Sequence, residues 1–265
     1  MVSLDANVTY AKNKLINIYE NAVTRNDPRR SRTGRRNGVV FGYQSLGLFT
    51  TADDKNSDGL INAADGYTIT QFGTLRPGDI RYADLGGPNG VPDGKIDSYD
   101  EKVVGYPQTP ALIYGLNLAA SWKGFDLSAL FQGSGMSSFN INGFMTVAHL
   151  NNNSNSAYEY YNNRWTPDHQ DSKYPRAYSS PNNNNQQTSN WWVKNSSYLR
   201  LRTASLGYTV PAQISSRLRM KAVRVYVTGQ NLVTFSKIKF TDPETNGEQG
   251  YPIQKTILAG FNITF

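Results

Sequence analysis

The chain has 265 residues, no cysteine, two histidines, 23 glycines, 17 tyrosines and a formal net charge of +7. Without cysteine there is no disulfide framework and no thiolate chemistry, and a Cys-based zinc site is argued against. Only 38% of residues are hydrophobic, below the ~45–50% of a soluble domain of this size, and no run of ~18 apolar residues offers a transmembrane helix.

Helical periodicity is scarce, and the strongest segments have period two. Val2, Leu4, Ala6, Val8 and Tyr10 alternate with Ser3, Asp5, Asn7 and Thr9. Leu112, Tyr114, Leu116, Leu118, Ala120 and Trp122 alternate with Ile113, Gly115, Asn117, Ala119 and Ser121. Phe125, Leu127, Ala129 and Phe131 follow after the short turn at Lys123 and Gly124. Further on, Leu199 and Leu201 alternate with Arg200 and Arg202, and Val223, Val225 and Val227 with Arg224, Tyr226 and Thr228. The last segment sets Ile257, Ala259, Phe261, Ile263 and Phe265 against Thr256, Leu258, Gly260, Asn262 and Thr264. Strands of about 9–11 residues with one apolar face are what a tilted membrane strand requires, and the apolar set of the last segment is expected to face lipid.

The connections are unequal. Those at 123–124 and 210–220 are short, whereas 18–111 and 133–196 are very long and 236–253 is intermediate. Short turns at one end and long loops at the other match an outer-membrane barrel. The expected strands are 2–17, 112–122, 125–133, 198–209, 221–234 and 255–265, and 38–50 and 137–150 are further candidates. Six strands cannot close a barrel in lipid, where the smallest have about eight, so the expectation is one portion of a larger barrel. Tyr19, Tyr114, Trp122, Phe125, Tyr198, Tyr208 and Phe235 cluster near strand ends, as interfacial aromatics do. The start Met1-Val-Ser-Leu-Asp lacks the basic and apolar regions of a signal peptide, so a targeting region is expected upstream.

Asp54, Asn56, Asp58, Gly59, Leu60, Asn62 and Asp65 fit D-x-N-x-D-G-x-I-N-x-x-D. Oxygens at positions one, three and five, a glycine at six and a backbone carbonyl at seven suit calcium. The same residue types also build Asx turns. A looser second copy comprises Asp84, Asp93, Asp97 and Asp100, interrupted by 86–92. Structural calcium is expected at the first loop and, on the looser motif, at the second. Arg25, Arg29, Arg30, Arg32, Arg35 and Arg36 concentrate the positive charge. No nucleic-acid-binding signature accompanies them, and a solvated or headgroup-facing loop is the better reading. His149 and His169 have no nucleophile motif around them, and neither a phosphate loop nor a dinucleotide fingerprint occurs. The chain is not expected to be an enzyme.

An ordered set of motifs resembles one family. It runs through Gly78-Asp-Ile-Arg-Tyr, Tyr106-Pro-Gln-Thr-Pro110, Tyr114-Gly-Leu-Asn117 and Trp122-Lys-Gly-Phe-Asp-Leu-Ser-Ala-Leu-Phe-Gln-Gly133. It continues with Arg164-Trp-Thr-Pro-Asp168, Ser197-Tyr-Leu-Arg-Leu-Arg202, Arg224-Val-Tyr-Val-Thr-Gly-Gln-Asn-Leu232 and Asp242-Pro-Glu244. Together these resemble the C-terminal barrel of SusC/RagA-type TonB-linked outer-membrane proteins of Bacteroidetes. The resemblance implies an all-β fold, a 22-stranded antiparallel transmembrane barrel with an N-terminal plug, seen here from 1 to 265 as a C-terminal segment. It implies import of oligosaccharides or peptides across the outer membrane with a SusD-like surface lipoprotein. The TonB complex would act through an N-terminal part, the barrel-assembly machinery through the last strand, and membrane lipids would surround the wall. No nucleic acid is implied. The competing expectation is a soluble calcium-binding β-sandwich that binds glycans.

Overall fold

The computed structural model describes residues 1–141, 156–178, 182–245, 251 and 253–265. The strands are β1 Val2–Tyr10, β2 Val40–Gly42, β3 Ser45–Leu48, β4 Ile80–Tyr82, β5 Lys102–Gly105 and β6 Leu112–Trp122. They continue as β7 Phe125–Gly135, β8 Ser138–Asn140, β9 Val193–Asn195, β10 Tyr198–Thr209, β11 Ala222–Ser236 and β12 Thr256–Thr264.

Six of them form one antiparallel sheet in the order β1-β6-β7-β10-β11-β12. Its members are the six segments of period two. The first ends at Tyr10 rather than at 17. The candidate at 38–50 supplies β2 and β3, which pair with β5 and β4 in small sheets of their own. In 137–150 only β8 is seen, paired with β9, and 142–150 lies outside the described residues. The turn between β6 and β7 places Lys123 at φ 48° and Gly124 at φ 88°, the left-handed pair of a two-residue hairpin turn that matches strand twist.

Cross-strand register turns the alternation of each segment into two faces of the whole sheet. Trp122 pairs with Phe125, Phe125 with Tyr208, Tyr208 with Val225 and Val225 with Phe261. Eight residues up β6, Tyr114 pairs with Gly133, Gly133 with Leu199 and Leu199 with Phe235. These aromatic-containing rows are about 26 Å apart along the strand, the scale of the ~25 Å apolar band of a membrane barrel. The side chains between them are apolar and uncovered: Leu4 is 64% exposed and Leu206 54%. Tyr198 departs from the aromatic pattern. It faces the other way and its hydroxyl donates to Glu244.

The buried core lies in the loops instead. Tyr43, Ile80, Tyr82, Phe139, Tyr174 and Trp192 belong to one cluster fed by both long connections and by Ile238 after β11. Phe49, Ile61 and Leu75 form a second, smaller one. Hydrophobic burial thus stabilises the cap, while hydrogen-bond ladders carry the sheet.

Candidate functional site

The inward face of the sheet is polar and cross-linked. Asp126 on β7 meets Arg224 on β11 at 2.5 Å, over Gly207 on the intervening β10. Higher up, Arg200 Nη2 donates to both carboxylate oxygens of Asp242 at 2.7 and 2.8 Å, Nη1 reaches Glu244 at 3.2 Å and Nε donates to Thr234 at 2.9 Å. Arg202 shares that face by alternation, and a bulge in β10 between Leu201 and Thr203 shifts the register beyond it. Arg202 bonds Gln132 at 3.1 Å, Asn231 at 3.3 Å and Glu244 at 3.2 Å. The segment after β11 therefore folds back over the wall and leaves Arg200 1% exposed. Alternation in the sequence set Arg200, Arg202, Arg224 and Asn262 opposite the apolar residues, and the structure places them on one face but covers Arg200 with the chain's own loop.

The two long connections meet at Asp79, which is fully buried. Its carboxylate accepts from Arg176 Nε at 2.9 Å, Asn185 Nδ2 at 2.8 Å, Asn182 Nδ2 at 3.1 Å and the Arg76 amide at 2.9 Å. Burial, the largest influence, pushes its pKa up against the pull of Arg176 and Asn185. Asn184 and Asn185 continue the seam by bonding the backbone of Ile80. The motif Gly78-Asp-Ile was visible in sequence, but its partners about a hundred residues away were not.

The first acidic loop closes on itself. Asp54 accepts from the amides of Asp58 and Gly59 at 3.1 and 2.8 Å, and Asp58 from Leu60 at 2.8 Å. Asn62 caps the turn at Ala64, and Asp65 takes the amides of Lys55, Asn56 and Asn62 at 2.8, 3.4 and 3.0 Å. Burial opposes ionisation of Asp65, but those three amides outweigh it and hold its carboxyl below the usual range. The second loop repeats this geometry despite its longer spacing. Asp84 accepts from the Gly94 amide, Asp93 from Lys95, Asp97 from Tyr99, and Asp100 from Leu85, Gly86 and Asp97. Asp84 Oδ1 is buried without a hydrogen-bond partner. Among the described residues no group of three or more His, Asp or Glu side chains is arranged to hold a metal ion.

The arginine-rich stretch knits its own loop. Arg29 bonds Asp27 and the Leu85 carbonyl, Arg30 lies 4.6 Å from the Tyr99 ring centroid, and Arg35 donates to the carbonyls of Ser31 and Pro28. His169 sits in a hairpin-like bridge with Thr166, and His149 lies outside the described residues. No helix among the described residues is long and apolar enough to cross a membrane.

No protein-family model matches the chain. It is similar to "TonB-dependent receptor P3" of Formosa agariphila, 29% identical over 250 residues and 88% of this chain. It is also similar to "TonB-dependent receptor P26" of the same organism, 32% identical over 242 residues and 86% of this chain. The chain spans 23% and 22% of the lengths of these curated relatives. In fold it resembles solved structures of the RagAB peptide importer in its open-open state, with a TM-score of 0.65 at 23% identity, and of the RagAB peptide transporter, with 0.66 at 21%. Both alignments take in all of this chain and 26% and 27% of the solved ones. The antiparallel sheet with its bare apolar face, the aligned TonB-dependent receptors and the RagA-type fold agree: the chain belongs to the SusC/RagA-like TonB-dependent receptors, as a segment of their barrel.

Proposed function

We propose that the six-stranded sheet is part of the wall of an outer-membrane nutrient importer and that the assembled long loops form part of its external mouth. One observation carries this reading. A six-strand apolar face stands uncovered while the chain's hydrophobic core sits in the loops. Such a face is stable only against lipid. A soluble sandwich would need a second sheet packed ~10 Å away, and among the described residues the other sheets are two-stranded pieces of the cap. The similarity to TonB-dependent receptors supports energised import of oligosaccharides or peptides, with a SusD-like surface lipoprotein seated on the cap. The TonB complex would act through another part of the longer protein, and the barrel-assembly machinery through β12. The plug, TonB box and signal peptide are assigned to that longer protein as well.

Calcium is proposed as a structural brace of the loops. The first would use Asp54, Asn56, Asp58, Asn62, Asp65 and the Leu60 carbonyl. The second would use Asp84, Asp93, Asp97 and Asp100, where the orphaned Asp84 Oδ1 supports a cation. Loss of loop protection on chelation is the expected result, and unchanged protection removes the metal from the reading.

The membrane assignment is tested by fractionating cells that express the full receptor. The protein is expected in the detergent-extracted outer membrane with heat-modifiable migration. Recovery in the aqueous fraction overturns the reading.

A further inference from the structure

We propose that a pocket of the loop cap beside the end of β11 binds an acidic oligosaccharide, one carrying carboxylate or sulfate groups on its rings. The proposal rests on the import reading and names a substrate class for it. The cavity measures about 310 Å³ and lies between the Lys237–Phe240 segment, β9 and Tyr174.

Its walls are aromatic: Tyr174, Trp191, Trp192 and Phe240 line it, and Tyr174 and Trp192 stack with centroids 6.4 Å apart. Tyr174 and Trp192 belong to the buried core, 3% and 1% exposed, so the partly exposed rings of Trp191 and Phe240 are the flat apolar surface on offer, with little conformational entropy to lose, which suits the apolar face of a pyranose. Around the rim stand four ammonium groups, Lys173, Lys194, Lys237 and Lys239, against one carboxylate, Glu159, which leaves a charge of +3 from four minus one. Lys237 and Lys239 are exposed on either side of Ile238, which is buried and anchors the segment in the core.

The donor and acceptor balance selects the ligand. Glu159 already takes Lys173 at 3.5 Å and the Tyr174 hydroxyl at 3.3 Å, and Asn195 Oδ1 takes the Ser197 amide at 2.8 Å. Each lysine brings three donors and no acceptor. Both Glu159 contacts fall on Oε1, and against four ammonium groups of three donors each the side chains present donors in large excess over acceptors. A peptide backbone or a neutral sugar needs both. A ring bearing carboxylate or sulfate supplies acceptors in excess, and the concentrated positive charge draws it in.

The test is calorimetry on the full receptor in detergent, with three probes: a galacturonic acid tetramer, the neutral galactose tetramer and tetraglutamate. The acidic sugar is expected to bind, to weaken as salt rises and to lose at least ~10-fold affinity in Lys237→Gln/Lys239→Gln. Trp191→Ala is expected to weaken it similarly, while Lys12→Gln/Lys95→Gln, away from the pocket, leaves it unchanged. Equal binding of tetraglutamate or of the neutral sugar overturns the proposal, as does indifference to both pocket variants. Binding is read without energised uptake, so a failure here leaves the membrane reading standing. A receptor found in the aqueous fraction would sink that reading by itself.

Discussion

Asp126 and Arg224 stand on strands that do not touch, yet their side chains close to 2.5 Å across the inward face. Gly207 lies between them, and a Cβ built there falls 2.5 Å from Arg224 Nη2 and 2.6 Å from Asp126 Oδ1. The missing side chain is the space the ion pair occupies. A similar arrangement recurs at Gly260 beneath Tyr226 and, on the outward face, at Gly133 beneath Tyr114. There the Tyr114 hydroxyl donates to the Tyr198 carbonyl two strands away, at 2.9 Å. Long side chains thus lash the sheet laterally, beyond what the backbone ladder provides.

Gly207→Val is therefore expected to part Asp126 from Arg224 by filling the space between them. Overpacking of this kind costs ~1–3 kcal/mol, whereas a partly exposed ion pair such as this one is screened by solvent and contributes less. The unfolding temperature read from heat-modifiable migration should fall further for Gly207→Val than for Asp126→Asn. An equal fall in both would mean that the glycine carries no steric role.

The two faces of β6 should respond oppositely to charge. Leu118 lies midway between the rows of Tyr114 and Trp122 on the outward face, and Asn117 beside it points inward between Asp5 and Leu130. Leu118→Arg is expected to destabilise the barrel by ~2–4 kcal/mol, the cost of a cation near the bilayer midplane. Asn117→Arg should change it little, since the inward face is polar and Asp5 is at hand. Denaturant unfolding in lipid vesicles reads both, and similar costs at the two positions would argue against lipid on the Leu118 side.

The wall was legible in the sequence because a strand declares itself locally: alternation every two residues needs no knowledge of its neighbours. Leu112–Trp122 was bounded to the residue for that reason. Position 202 shows the limit, since alternation continues through Leu201 and Arg202 while the bulge resets the register beyond them. The acidic loops were legible as patterns, and the pairing of Asp84 with Gly94 despite the inserted 86–92 was not, because loop length hides closure. The cap was not legible at all. Its core joins Ile80 to Trp192 and Asp79 to Asn185 over about a hundred residues, and no local periodicity encodes such distant contacts.

Acid should loosen the first acidic loop through Asp65. Its pKa is held below the ordinary 3.8 because three amides outweigh the burial that opposes ionisation. The folded state then binds fewer protons than the unfolded one, so this stability is present above the ordinary value and is lost as pH falls through the folded value. Asp79 has the opposite sign. Burial raises its pKa, so its share is present below the ordinary value and is lost as pH rises through the folded one. Amide-exchange protection at Lys55, Asn56 and Asn62 should drop as pH falls below about 3.8, and the drop should vanish in Asp65→Asn. Persistence of the drop in that variant would assign the acid response to another group.

The cap is expected to come apart at Asp79 before the wall does. Four donors converge on this carboxylate, three of them side chains from the second long connection. Asp79→Ala leaves Arg176 without its anion and the amides of Asn182 and Asn185 without an acceptor, and breaking a buried pair from one side costs ~3–5 kcal/mol. Arg176 retains some solvent access, which places the expected loss at the lower end. Arg176→Ala alone should cost about as much, since it strands the fully buried carboxylate, and the double variant should cost less than the sum of the two. Limited proteolysis of the receptor in detergent reads the difference. Cleavage within 18–111 and 156–196 should accelerate while the heat-modifiable barrel band survives. Additive losses in the double variant would show that the two residues act apart, and joint loss of cap and barrel would show that the cap is not an independent folding unit.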